Sequence, residues 1–421
     1  MRSLGAMLPL PMETFVEVAR SHRATLSHPK KPEAEEGITM QRSTSQILTT
    51  HTGSLPRSVK LQEWLRLREE QRDRDQQAFD AAVREAVAEV VRQQLEVGLA
   101  VINDGEQGRS QYAAYVKERL TGFEGERLIR ARPRLGDDEF PEFASQGGTH
   151  LSSTSIPQPA CTGPIAWKDW DAVQRDLDNL KAAVRDRQAT EVFMTSAAPG
   201  VIANFLPNAY YSSHEAYLYA LAEVMKDEYN AIVQAGFLLQ LDCPDLAMIR
   251  VTQFAHLSLD EFKKIVELHI EVLNYALAAI PPEQMRLHLC WGNYEGPHHH
   301  DVPLQEIVTL VLKARPVGLS FEGANPRHAH EWKVWKDVPL PQDKVIIPGV
   351  LDSTTNFIEH PELVAERIVR YANIVGRERV IAGTDCGFGT SAWGRKVDAR
   401  IAWAKLASMV EGARLASAEL W

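Results

Sequence analysis

Eight short apolar runs alternating with helical patterns predict a (β/α)8 TIM barrel of the α/β class. Chemically loaded residues follow every one of those runs, and the active sites of such barrels sit on the carboxyl-terminal rim. At 421 residues and 44% hydrophobic, the chain can bury a core of that size as one domain. A doubly wound open sheet is the structural alternative. It accounts less well for loaded positions after all eight runs.

In chain order, the strands are expected at Ile47–Thr52, Ala100–Asn103, Val192–Thr195, Phe237–Leu241, Arg286–Cys290, Val317–Phe321, Val345–Pro348 and Val380–Thr384, all rich in Val, Ile and Leu. Helices fill the intervals. Val83, Val87, Val90, Val91 and Leu95 mark one apolar face. Ser258-Leu259-Asp260-Glu261 is a capping box that opens another helix, and His360-Pro361-Glu362 starts a third with proline at its first position. Residues 121–170 break the rhythm with Pro, Gly and scattered Phe. They read as an elaborated loop with some strand, inserted after the second barrel strand at the barrel mouth. Residues 1–40 mix Pro, Lys, Glu and Ser without periodicity and read as a flexible amino-terminal extension, with Met40 a second candidate start. The catalytic barrel is then expected over 41–421.

A formal net charge of −10 argues against nucleic acid or an anionic membrane surface as partner. No apolar run approaches the ~20 residues that cross a bilayer. Four widely spaced cysteines and no signal-peptide pattern fit a reducing, cytoplasmic setting. Nothing fixes the oligomeric state, and a homo-oligomer is allowed for.

Side chains two apart on a strand point the same way, so His288 and Cys290 reach into one pocket from one strand end. Glu322 and Cys386 end two further strands. An imidazole, two thiolates and a carboxylate suit Zn2+ in tetrahedral geometry, and a displaceable carboxylate marks a catalytic site, one that activates a thiol. Each cysteine or histidine taken alone would be an ordinary buried residue. The other loaded rim positions are Ser54, Glu106, Ser196, Asp242 and Asp352, with His51 at the end of the first strand.

Around these residues the chain resembles the cobalamin-independent methionine synthase family, in its catalytic barrel. The matching stretches are His51-Thr52-Gly53-Ser54-Leu55-Pro56-Arg57, Asn103-Asp104-Gly105-Glu106, Leu241-Asp242-Cys243-Pro244, His288-Leu289-Cys290-Trp291-Gly292-Asn293, Glu322-Gly323-Ala324-Asn325, Pro348-Gly349-Val350-Leu351-Asp352 and Gly383-Thr384-Asp385-Cys386-Gly387. The likeness is to short, single-barrel members; epoxyalkane:coenzyme M transferases share the barrel and the zinc signature. It implies that zinc binds the substrate sulfur as a thiolate that attacks an alkyl carbon, with Glu322 holding the fourth position until displaced. It also implies that Ser54, Glu106 and Asp242 hold the amino-acid end of homocysteine. Two differences fall on the donor side. The family's Thr-Gly-Pro turn near the folate is replaced by Ser196-Ala197-Ala198-Pro199-Gly200, and its frequent histidine two after Asp352 is replaced in Ser353-Thr354.

The expected function is a zinc-dependent transferase that moves a methyl or other alkyl group onto a small-molecule thiol, most like homocysteine methylation to methionine. Glu322 and Asp352 are its catalytic candidates; Ser54, Glu106, Asp242 and His51 bind substrate. The alternatives are an epoxyalkane:coenzyme M-type alkyltransferase, a metal-free barrel of the uroporphyrinogen decarboxylase type, and a zinc-binding protein without catalysis. Of the remaining motifs, His298-His299-His300 reads as a polar loop, with His300 and Asp301 placed to cap the next helix. Cys243 and Cys161 read as packing, Trp332 and Trp335 as cover for a helix. Arg57, Arg109 and Arg327 read as surface charges near the rim, within reach of an anionic substrate group.

Overall fold

The barrel is present in the computed structural model of the protein, which describes residues 38–70, 75–113, 115–130, 134–146, 155–392 and 397–421. The expected extension, 1–40, lies outside the described residues as far as position 37. Met40 is buried, and its backbone N–H donates to the carbonyl of Glu283 at 2.8 Å.

Seven parallel strands form one sheet: β1 (Val101–Ile102), β4 (Glu191–Ala197), β5 (Leu238–Asp242), β6 (Met285–Leu289), β7 (Gly318–Phe321), β8 (Val345–Leu351) and β9 (Gly383–Thr384), in that order. Segment 47–52 closes the ring between β9 and β1. Thr49 bridges Ala382 in parallel, the Ala382 N–H donates to the carbonyl of Leu48, and the Val101 N–H donates to that of Thr49. All eight expected strands are therefore in place. The second is shorter than expected, and the first pairs through Thr49 and its neighbours. The remaining pair, β2 (Gly125–Arg130) and β3 (Ser155–Ala160), forms a separate antiparallel sheet within the insertion after β1.

Helices surround the ring. Asp75 caps helix Gln76–Val97, whose buried face carries Val83, Val87, Val90 and Val91. The capping box of Ser258 and Glu261 opens helix Leu259–Ala276. Proline starts helix Pro361–Val375. No described helix is long and apolar enough to cross a membrane.

The barrel interior has two tiers. Its lower part is an apolar plug of Met40, Leu48, Val101, Phe193, Leu238, Val317, Val345, Ile347 and Ile381. β6 contributes Arg286 there instead. That guanidinium lies 3.9 Å from the Phe193 ring centroid and donates to Gln240 Oε1, Thr50 Oγ1 and the His51 carbonyl at 2.8, 2.9 and 2.7 Å. Alternation along β6 then places His288 and Cys290 above Arg286 on the same inward face. The polar ladder rises from barrel floor to rim.

Helices Pro361–Val375 and Ala399–Leu420 close the outer layer with little room between them. A Cβ on Gly412 would lie 2.5 Å from Val364 Cβ and 2.8 Å from the Pro361 carbonyl oxygen. Gly412→Ala should therefore destabilise the protein by about 1–3 kcal/mol through overpacking, read as a lower urea midpoint at unchanged m. An unchanged or raised midpoint would contradict this packing.

Candidate metal and substrate site

One donor atom each from His288, Cys290 and Cys386 lies within 4.8 Å of the others, and all three residues are buried. The two sulfurs are 3.8 Å apart. Both ring nitrogens of His288 are buried without a hydrogen-bond partner, which is costly unless a further ligand takes one of them. Burial, with Arg286 nearby, lowers the His288 pKa to about 3, so the ring is neutral and has a lone pair to donate. The hydrogen bond with Cys386 and then burial push the Cys290 thiol well above its usual range, against the pull of the Gly292 N–H at 3.2 Å. A cation held by the two sulfurs would reverse that effect. The donor set thus fits a thiophilic divalent ion.

Glu322 stands beside this trio but outside it. Its Oε1 accepts the Trp291 N–H at 2.8 Å, and its Oε2 accepts Asn325 Nδ2 and an Arg327 nitrogen, each at 2.7 Å. Asp385, next to Cys386, fixes the loop that presents Glu322. Its oxygens accept the backbone N–H groups of Gly323, Ala324 and Asn325 and the Asn325 side chain, all at 2.8 Å. Gly349 is small because it must be: a Cβ there would sit 2.0 Å from Asp385 Oδ1.

Along the same rim, Asp242 at the end of β5, in register with His288 on β6, and Glu106 after β1 are both buried. Asp242 is raised well above the usual carboxylate range, first by burial and then by the charge of Glu106. Glu106 is raised too, by burial against the opposing pull of Arg109 and Arg57. Glu106 Oε1 accepts the Thr195 hydroxyl at 3.1 Å, while Oε2 is buried without a partner. Among the described residues, Glu106 alone has a positive φ without being glycine (54°), a strained conformation of the kind that clusters at functional sites. Gly53 makes room for it, since a Cβ there would lie 2.7 Å from Glu106 Oε1. Two neighbouring buried carboxylates with an unpartnered oxygen suit an ammonium group. Ser54 packs its hydroxyl against Gly387, one residue beyond Cys386.

The other expected site residues serve the loops. His51 Nε2 pairs with Gln94 at 2.8 Å and its Nδ1 accepts the Gly53 N–H at 3.2 Å, so the ring braces the Ser54 loop from behind. Asp352 accepts the N–H and hydroxyl of Thr354 and the hydroxyl of Thr355, which folds the loop after β8. Ser353 links that loop to Asn293 at 3.1 Å, and Asn293 links on to the Gly387 carbonyl at 2.9 Å.

Several residues differ from expectation. Arg57 and Arg109 are not surface charges but buried struts, bonded to the Glu106 carbonyl and to the Thr195 carbonyl. Arg327 holds Glu322. His300 does not cap the next helix, whose first turn follows Pro303; it faces Glu139. Cys243 and Cys161 are packed in the core as expected. Asp385 and Asn325 lay within matched motifs without an assigned role, and their position one residue from Cys386 and three from Glu322 was the available signal. Tyr112 had none: it comes from the loop after β1, and its phenol is pushed up by burial and by the nearby Cys290 and Cys386.

The family description "Cobalamin-independent synthase, Catalytic domain" matches residues 47–129. The chain is 27% identical over 372 residues to a methionine synthase of Sulfolobus acidocaldarius, covering 88% of this chain and 93% of the relative. It is 26% identical over 376 residues to one of Thermococcus kodakarensis, covering 88% and 94%. Among solved structures, the fold is similar to a B12-independent methionine synthase from a Shewanella species bound to selenomethionine. That match has a TM-score of 0.66 at 19% identity and covers 89% of this chain and 99% of that one. A B12-independent methionine synthase from Listeria monocytogenes, described there as putative, matches at a TM-score of 0.58 and 20% identity, over 89% and 99%.

The shell around Glu322 also sets a pH dependence. His328 stacks on Trp291 at 4.3 Å between ring centroids and bonds Glu331 at 2.8 Å and Asp301 at 3.3 Å. Burial lowers its pKa, but the bonds to Asp301 and Glu331 outweigh it and raise the pKa from 6.5 to about 9. The folded state therefore holds this proton more tightly than the unfolded one. The stability it contributes is fully present below about pH 6.5 and is lost as pH rises through about 9. Urea midpoints measured across that interval should fall for the wild type and fall less for His328→Gln; parallel curves would contradict the ion-paired histidine.

Proposed function

The chain resembles the cobalamin-independent methionine synthases along its whole barrel, and from that premise we propose a zinc-dependent S-methyltransferase that converts homocysteine to methionine. The observation that carries the proposal is the buried trio of His288, Cys290 and Cys386 on the same rim as the buried carboxylates of Asp242 and Glu106, one oxygen of Glu106 lacking a partner. The trio suits a sulfur-binding cation, the carboxylates an ammonium group, and homocysteine carries both matching groups. The methionine synthases of Sulfolobus and Thermococcus support the same reading.

In this proposal His288, Cys290 and Cys386 would hold Zn2+, which when bound lowers the pKa of the substrate thiol and keeps it nucleophilic at neutral pH. Glu106 and Asp242 hold the substrate ammonium and Ser54 its neighbouring polar end, which orients the sulfur for attack. Glu322 is the carboxylate beside the cation. Its Oε1 accepts only the Trp291 N–H and keeps a lone pair that would be open to such a cation. Attack forms the S–C bond to the methyl carbon as the bond to the donor's leaving atom breaks. Asp352 shapes the rim on the donor side, where Ser353 and Thr354 stand. The four free cysteines fit a reducing cytoplasm. A sulfonate thiol is the less favoured substrate, because Glu106 and Asp242 would repel it.

The purified protein should hold about one tightly bound zinc per chain by ligand count, and Cys290→Ser or Cys386→Ser should lose both that zinc and homocysteine methylation. Full zinc occupancy in both variants would refute the site. Donors are compared at fixed homocysteine; methylfolate and simpler methylated compounds are the arms.

Asp242→Asn should weaken homocysteine binding by about 1.5–3 kcal/mol, the usual loss for a charge-assisted hydrogen bond. An analogue lacking the amino group should lose a similar amount on the wild type and little more on the variant. Normal homocysteine affinity in Asp242→Asn, together with turnover of a sulfonate thiol, would favour the coenzyme M-type reading.

A further inference from the structure

Successive histidines on a loop usually diverge, but His299 and His300 turn to the same carboxylate. His299 Nε2 lies 3.1 Å from Glu139 Oε2, and His300 Nε2 lies 2.5 Å from Glu139 Oε1. The two rings are 4.1 Å apart at their centroids, and one ligand atom from each of the three residues falls within 4.8 Å of the others. Phe140 packs edge-on against His299 at 5.7 Å. Gly136 supplies the space: its φ is +94°, and a Cβ there would meet the His300 ring at 2.9 Å and the His299 ring at 3.0 Å. All three side chains are partly open to solvent.

We propose that Glu139, His299 and His300 form a second metal site, for a divalent transition cation such as Zn2+, separate from the barrel trio. Two imidazoles and one carboxylate match the nitrogen–oxygen preference of such ions, and solvent exposure leaves water to complete the shell. Each ring would bind through Nε2 with its remaining proton on Nδ1. The site joins two elements. Glu139 belongs to the segment 134–140 of the insertion, and the histidines belong to the loop that follows Cys290. A partly buried layer already ties these together: an Arg134 nitrogen donates to Asp301 at 3.0 Å and to the Trp291 carbonyl at 3.1 Å. A cation above that layer would clamp the insertion over the barrel mouth.

The test uses the full chain and Zn2+ alone, by equilibrium dialysis at micromolar free zinc. Glu139→Gln and the double variant His299→Ala/His300→Ala should each bind one zinc fewer than the wild type. Cys290→Ser should lose the barrel zinc and keep this one, and added zinc should raise its melting temperature. That rise should vanish when His299 and His300 are also replaced. Equal zinc content in the wild type and both clamp variants, or a difference seen only at millimolar zinc, would overturn the proposal. So would an undiminished melting shift without the two histidines.

Discussion

The interior of a closed barrel offers buried charges no water, so every polar side chain there must find a partner within the protein or in a ligand. Most of this site obeys that constraint internally. Arg286 is satisfied by Gln240, Thr50 and the His51 carbonyl. Asp385 is satisfied by three backbone N–H groups and Asn325, and Glu322 by Trp291, Asn325 and Arg327. Among the exceptions are groups that a ligand would satisfy. Both nitrogens of His288 and one oxygen of Glu106 lack partners. A thiol bearing an ammonium group, bound with a cation, would satisfy both.

The rigid parts of the site hold the unsatisfied ones in place. Asp385 sits beside Cys386 and gathers the loop after β7, so the position of a ligand and that of Glu322 are set by one carboxylate. Asn293 and Ser353 join the loops after β6 and β8 to the Gly387 carbonyl. Arg57 holds the Glu106 carbonyl at its left-handed backbone, and Arg109 holds Thr195, whose hydroxyl bonds the Glu106 carboxylate. Preorganisation of this kind keeps a nucleophile and its substrate anchor at a fixed separation.

Much of the arrangement was legible in the sequence, for reasons that differ between residues. Strand alternation placed His288 and Cys290 on one face, and the eight-fold rhythm placed Glu322, Cys386, Glu106 and Asp242 on one rim. Local pattern could not reveal what the neighbours require. His51 ends a strand like a rim residue, yet Gln94 on an outer helix captures its ring. Arg57 and Arg109 look like surface charges because nothing local shows the carbonyls that receive them. His299 and His300 meet Glu139 only because Gly136, far away in the chain, leaves room for both rings. The pairing of β2 with β3 is the strand expected within the insertion, and only β3 carries prolines, which a two-stranded edge tolerates.

The central claim is that the His288, Cys290 and Cys386 trio receives a cation to which the substrate sulfur binds. X-ray absorption at the zinc edge tests it most directly, on the full-length His299→Ala/His300→Ala protein with and without homocysteine. The account predicts two sulfur ligands near 2.3 Å before homocysteine is added and three after, with the zinc itself lost in Cys290→Ser. A sulfur count that homocysteine leaves unchanged, in protein that binds it, would contradict the account.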